Sequence, residues 1–207
     1  MVIEVIFDVE TKKLFSDIET QDPGDLGVSV VSAYRRIMDD RYTEVEGKLM
    51  SFWDEEAKRT PAIETLWDWF SGAHRIIGFN SKHFDVPALR GYFQKDFHSL
   101  PHFDIMEKVR EKIGRRLSLN ALATTTLGAG KTDVGSNAVY YWNNRNDQNL
   151  DILQKYCEAD VLLTRDLYDY GVKHGNLKYT DRWNTVITME MDFSYPKVER
   201  IPQIPLF

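Results

Sequence analysis

Two carboxylates, Asp8 and Glu10, stand two residues apart in the opening run VIEVIFDVET. If that run is a strand, both side chains leave the same face, and two acids so placed repel each other unless a cation lies between them. A strand end fraying into solvent accounts for the pair equally well. A third carboxylate, Asp85, lies in FNSKHFD between Phe84 and Val86, where a helix N-cap is the plain alternative. The stretch KYCEADVLLTRDL places Tyr156 and Asp160 four apart inside a helical pattern whose apolar side carries Leu162, Leu163 and Leu167. Residues four apart share a helix face, and no cap explains an Asp in a helix interior. A buried unpaired charge costs on the order of several kcal/mol, so Asp160 calls for a partner or a metal ion.

Each of the four acids falls at or near an element that the apolar pattern puts in the core. Hard divalent cations such as Mg²⁺ or Mn²⁺ favour clustered oxygen ligands of this kind. Two such ions held about 3.5–4 Å apart by shared carboxylates are a device for in-line attack on a phosphodiester.

The elements that must position these acids can be read from periodicity. VIEVIFDVE is almost continuously apolar up to Asp8, which suits a central strand buried on both faces. VSVVSAYR from Val28 and KLMSFW from Lys48 read as two more strands, separated by polar segments that hold Gly47 and the DPGD turn. A helix is predicted over 60–71, with Thr60 as N-cap, Pro61 at the first position and Gly72 as the stop. RIIGF at 75–79 is a short strand leading into FNSKHFD and a helix from Val86. A further extended piece spans Leu100 to Phe103, and helices follow over 104–113 and 118–127. Residues 128–149 read as a loop with three glycines and the aromatic run YYW, long enough for a flap. A long helix spans about 150–170 and ends at Gly171, and a β-hairpin covers Leu177 to Phe193 before the tail IPQIPLF. Strands first, then alternating helices and strands, argue for a mixed α/β sheet with helices packed on it.

The 207 residues suffice for one substantial core. With 43% hydrophobic and 28% charged residues the chain reads as a soluble globular protein. The N-terminus lacks a signal-peptide pattern, no apolar stretch approaches the roughly 18 residues of a membrane span, and the single cysteine, Cys157, suits a reducing, cytoplasmic setting. A net charge of −6 argues against a protein that merely coats nucleic acid, without excluding an enzyme that holds cations among its own acids.

These motifs together resemble the DEDD superfamily of 3′-to-5′ exonucleases, and in particular the proofreading domain of family B DNA polymerases and its stand-alone relatives. The family's D-x-E appears as FDVET, its Asn-then-Phe-Asp motif as FNSKHFD, and its Y-x-x-x-D as YCEAD, in the family's order. The resemblance covers residues 1 to about 171. It implies a ribonuclease H-like mixed β-sheet flanked by α-helices, a domain over 1–175; the hairpin read beyond the motifs makes 176–207 a C-terminal extension of the same domain. It also implies two Mg²⁺ or Mn²⁺ ions. Asp8 would bridge both, Glu10 and Asp160 would complete the site of the attacking water, and Asp85 would support the second ion through water. Tyr156 places the chain in the tyrosine (DEDDy) subgroup. With an ordinary pKa of about 10 it is a poor base at neutral pH, so orienting water is its sensible role. Thr11, Asn80 and Phe84 would lie against nucleic acid, and Lys131, outside the motifs, reads as a solvated loop lysine that could also touch a substrate phosphate. The implied activity is release of nucleoside 5′-monophosphates from a 3′ end, with single-stranded DNA favoured over RNA, and correction, repair and recycling are all open as its setting. A helicase or polymerase encoded separately is the partner envisaged, since 207 residues leave no room for a polymerase domain. The alternatives are a catalytically weak docking module and an exoribonuclease using the same site.

Other features compete less well. GAGKT at 128–132 resembles the end of a P-loop, but the glycine that pattern needs is Thr125 and the segment follows a helix rather than a strand. The basic run KVREKIGRR from Lys108 reads as a solvated helix face that could meet phosphates. Tyr140, Tyr141 and Trp142 suit packing on the long helix, or stacking on bases. His102 and Asp104 suit an extended segment followed by an Asp cap.

Overall fold

The computed structural model describes residues 1–93, 95–130 and 136–195. Five strands form one mixed sheet in the order β3-β2-β1-β4-β5. β1 (Val2–Thr11) is central, antiparallel to β2 (Val28–Met38), which pairs in turn with β3 (Glu44–Trp53). On its other side β1 runs parallel to β4 (Arg75–Gly78), and β4 runs parallel to the edge strand β5 (His102–Asp104). Both faces of β1 are covered, which is why its sequence does not alternate. Val5, Phe7 and Val9 enter one core layer with Phe52, Phe70 and Phe97, while Ile6 enters the opposite layer with Ile77, Val161 and Leu167.

Between β3 and β4 the predicted helix over 60–71 is shortened from its N-terminal side. The Pro61 carbonyl accepts the Trp53 N–H at 2.9 Å and Ala62 bridges Trp53, so this stretch continues the edge of β3. Helical turns begin only at Ile63, as a 3₁₀ turn (Ile63–Leu66) leading into α1 (Trp67–Ser71). α2 (Asp85–Ala88) is a single turn after β4. Asp104 caps α3 (Ile105–Ile113), accepting from the backbone N–H of Met106 and Glu107, which accounts for that acid without a metal. Ser118 caps α4 (Leu119–Leu127).

The stretch 128–149 is not a loop throughout. α5 (Ser136–Asn143) occupies its middle, with Ala138 and Trp142 buried against Leu153 and Cys157, so the aromatic run packs on the long helix as the plainer reading has it. Tyr140 alone of the three is exposed. The tail 196–207 and Lys131 lie outside the described residues.

The long helix, α6 (Asp147–His174), starts earlier and ends later than predicted. Gly171 does not stop it. A Cβ there would fall 2.1 Å from the Phe193 ring, so this glycine admits the strap that follows the hairpin, and the helix ends at Gly175 with φ of +67°. The hairpin of β6 (Asn176–Thr180) and β7 (Val186–Glu190) forms a second, two-stranded sheet. Leu177, Met189 and Phe193 share a core layer with Ile6 and Ile77 of the main sheet. Among the described residues no helix is long and apolar enough to cross a membrane.

The base of β1 holds a buried polar network. Glu4, fully buried, accepts from Arg36 Nε at 2.8 Å and from the hydroxyls of Tyr42 and Tyr168 at 2.6 and 3.2 Å, and it also accepts from Tyr195. Arg36 completes a fork on Asp169 at 2.9 and 2.6 Å. Arg75 donates to the Phe193 and Ser194 carbonyls and lies 3.7 Å from the Tyr195 ring centroid, pinning the strap to the sheet.

Candidate active site

Asp8 and Glu10 stand at the C-terminal end of β1, on the face that α6 covers lower down through Ile6 and Val161. β4 pairs with β1 only as far as Ile6, and the chain then leaves the sheet at Phe79. The Val9 N–H beyond that point is taken by Asp85, whose Oδ1 accepts it at 3.0 Å. Asp85 therefore ties the β4–α2 connection to the end of β1. The connection is itself moulded by Asp104, which accepts from the backbone N–H of Asn80 at 2.8 Å and of Lys82 at 3.0 Å, holding Asn80 at φ of +64°. From the opposite wall α6 presents Tyr156 and Asp160, one turn apart, with the Asp160 carboxylate close enough to add to burial in raising the Tyr156 hydroxyl pKa.

These groups line one cleft of about 280 Å³, together with Thr11, Asn80 and Phe84. Of the residues singled out from the sequence, the structure brings eight to this cleft, and the ninth, Lys131, lies outside the described residues. Thr11 is buried with its hydroxyl donating to the Lys13 carbonyl, so its first task is to fix the chain's exit from β1.

The electrostatics show how densely the acids are packed. Burial, and then the charges of Asp104 and Asp160, push Asp85 up to about 7, against the help of the Val9 N–H. Burial and the charges of Glu10, Asp160 and Asp8 push the Tyr156 hydroxyl well above its ordinary value. Oxygen donors from β1, α2 and α6 thus face one space with an excess of negative charge, which is the environment a hard divalent cation fits. Donor atoms of Asp8, Glu10 and Cys157 lie within 4.8 Å of one another. Cys157 is a poor match for such an ion: burial pushes its thiol far up, and its Sγ donates to the Asp8 carbonyl at 3.4 Å and approaches Asp8 Oδ2 at 3.8 Å. It anchors Asp8 from behind.

Asp85 carries a stability consequence. A carboxyl raised on folding costs stability that is absent below the unfolded value of 3.8 and grows until the pH passes about 7. Asp85→Asn keeps an Oδ1 for Val9 and removes that cost. The metal-free variant is expected to melt several degrees above wild type at about pH 8, with the gap shrinking steadily towards about pH 4. Scanning calorimetry in chelator checks this, and a gap independent of pH would contradict it.

Several cleft residues were not singled out from the sequence. Lys13, Leu14 and Phe15 form the rim after β1, with the Phe15 ring 6.1 Å from that of Phe84 in an edge-to-face pair. Leu14 and Phe15 are large apolar residues 40% and 38% exposed, and an apolar pair directly after two lysines was the available signal. Val9, Leu26, Phe79 and Val139 complete the lining.

No curated protein matches the chain. Among solved structures it is similar to the family B DNA polymerase from the hyperthermophilic archaeon Pyrobaculum calidifontis, at 18% identity and a TM-score of 0.58, over 83% of this chain and 25% of the polymerase. The chain therefore spans about a quarter of that polymerase, and the likeness is one of fold. The family model of the RNase_H superfamily matches residues 14–172, which takes in Asp85, Tyr156 and Asp160 and begins just past Asp8 and Glu10. With well over half of its length matched and the mixed five-stranded sheet in place, the chain belongs to the RNase_H superfamily.

Proposed function

We propose that this chain is a two-metal 3′-to-5′ exonuclease of the tyrosine subgroup, hydrolysing phosphodiesters at the 3′ end of single-stranded DNA and releasing nucleoside 5′-monophosphates. The observation that carries the reading is the meeting of Asp8, Glu10, Asp85, Tyr156 and Asp160 in one cleft from three separate elements. Members of the superfamily are for the most part hydrolytic nucleases that use divalent metals, which agrees with it. Residues 1–175 and the 176–207 extension are taken as one domain, because the hairpin shares a core layer with the sheet.

Asp8, Glu10, Asp85 and Asp160 would hold the ions. When bound, two Mg²⁺ or Mn²⁺ ions would acidify the attacking water and stabilise the departing 3′ oxygen. The remaining tasks fall to the protein. Tyr156, held protonated by its acidic neighbours, donates a hydrogen bond and so orients the attacking oxygen rather than deprotonating it. Asn80 has a buried Oδ1 with no hydrogen-bond partner among the described residues, available to a donor on the terminal nucleotide. The Phe15–Phe84 pair offers that nucleotide an aromatic wall. Lys131 is proposed as a phosphate contact, and a separately encoded helicase or polymerase as the partner.

Purified protein incubated with a 5′-labelled oligonucleotide and Mg²⁺ or Mn²⁺ should yield a ladder shortened from the 3′ end. An intact strand under both metals would count against the reading, and matched DNA and RNA strands run in parallel assign the sugar. Tyr156→Phe is expected to lower the cleavage rate by roughly a hundredfold with Mn²⁺ affinity retained, measured by single-turnover kinetics and calorimetry. An equal loss of metal affinity would show that the hydroxyl serves the ions instead.

A further inference from the structure

The tip of the β6–β7 hairpin takes no part in the cleft, yet it is built unlike the surface around it. Trp183 is 70% exposed and Val186 58% exposed. The Arg182 guanidinium lies 4.0 Å from the Trp183 ring centroid, and that of Arg115 lies 5.3 Å from the Tyr179 ring. These four residues line a shallow hollow of about 460 Å³ with Asp181 and Ile187. The one acid among them is engaged in the turn: Asp181 Oδ1 accepts from the backbone N–H of Trp183 and of Thr185, each at 2.9 Å. The hollow therefore shows two guanidinium groups and two aromatic rings on a chain of net charge −6. The basic run that begins at Lys108 ends beside it, at Arg115 and Arg116.

Aromatic faces interleaved with arginine suit a single polynucleotide strand, whose bases stack on the rings and whose phosphates pair with the guanidinium forks. The hairpin is fixed to the body that carries the cleft, sharing a core layer with the main sheet. β6 lies along α4, with Thr126 Oγ1 donating to the Lys178 carbonyl at 2.9 Å and the Thr125 and Thr180 hydroxyls 3.1 Å apart. Beyond α4, Gly130 still sits against that helix, since a Cβ on it would meet Asn120 Oδ1 at 2.7 Å. Ser136 opens α5, whose Val139 lines the cleft.

We propose that the hairpin tip is a second nucleic-acid contact, gripping the body of a strand whose 3′ end enters the cleft. This rests on the reading of the cleft as a nucleic-acid site, and its test separates the two. Fluorescence anisotropy in chelator measures binding without cleavage, using labelled DNA strands of about 4 and about 20 nucleotides. Trp183→Ala and the pair Arg115→Ala with Arg182→Ala are expected to weaken the long strand by roughly 5- to 100-fold and to leave the short strand unchanged. Trp183→Phe, which keeps a stacking face, should restore most of the affinity. Unchanged melting temperatures, natural for exposed positions, confirm that the variants fold. Long-strand affinity equal to wild type in both variants would overturn the proposal, even if cleavage at the 3′ end proceeds. Trp183-dependent binding without any cleavage would uphold it while removing the exonuclease reading. Intact strand affinity with loss only of capture of another protein would also overturn it.

Discussion

Asp8→Asn is expected to abolish cleavage, with a fall of at least about a thousandfold, equivalent to roughly 4 kcal/mol of transition-state stabilisation. Asp8 stands on the central strand on the same face as Glu10, in the cleft that Asp160 of α6 also lines, and Cys157 holds it from behind at its carbonyl oxygen. Its replacement removes a charged ligand from the middle of the proposed ion cluster while leaving a side chain of the same shape. The fold should survive, because Asp8 is only half-buried and the core layers on either side of β1 are carried by Val5, Ile6 and Phe7. Single-turnover cleavage under saturating Mn²⁺ decides the matter. Activity within about tenfold of wild type would mean that the acids gather for another reason.

The largest effect on stability is expected at the other end of the same strand. Glu4→Ala removes the acceptor of the buried Arg36 Nε and Tyr168 hydroxyl, and of the partly buried hydroxyls of Tyr42 and Tyr195. Among the described residues Arg36 retains its fork to the half-exposed Asp169, a longer approach to Glu44 and the face of the Tyr168 ring. Leaving buried donors unmatched costs about 3–5 kcal/mol, read as a shift in the urea midpoint. Four residues of strand, about 13 Å, separate Glu4 from Asp8. Cleavage per folded molecule at low temperature should accordingly stay near wild type. A loss of under about 1 kcal/mol would show that the network is dispensable.

The contrast between these two acids on one strand bears on what a sequence can disclose. The nearly unbroken apolar run around Ile6 announces a central strand, since burial on both faces erases alternation. Asp8, Glu10, Asp85, Tyr156 and Asp160 were legible because short-range spacing fixes which face each side chain takes, and three motifs in order constrain one another. Glu4 was passed over inside that run. Its partners Arg36, Tyr42, Tyr168 and Tyr195 are supplied by distant segments, and no local pattern marks a buried acid as satisfied. The same limit explains the misplaced boundaries. Thr60 and Pro61 carry good helix-start chemistry, yet pairing of the Pro61 carbonyl with Trp53 takes that stretch into the sheet edge. Gly171 looks like a helix stop and instead makes room for Phe193. α5 is short and apolar on one side only, and packing on α6 rather than propensity makes it a helix. At the cleft, Phe15 went unnoticed because its role depends on facing Phe84 across two connections.

The proposed activity requires that the carboxylates of β1, α2 and α6 hold cations in common. Anomalous diffraction from crystals soaked in Mn²⁺ tests this most directly. Two peaks about 3.5–4 Å apart, within bonding distance of Asp8 and shared among Glu10, Asp85 and Asp160, are the expected result. A cleft without anomalous density under saturating Mn²⁺, with the four carboxylates ordered, would contradict it.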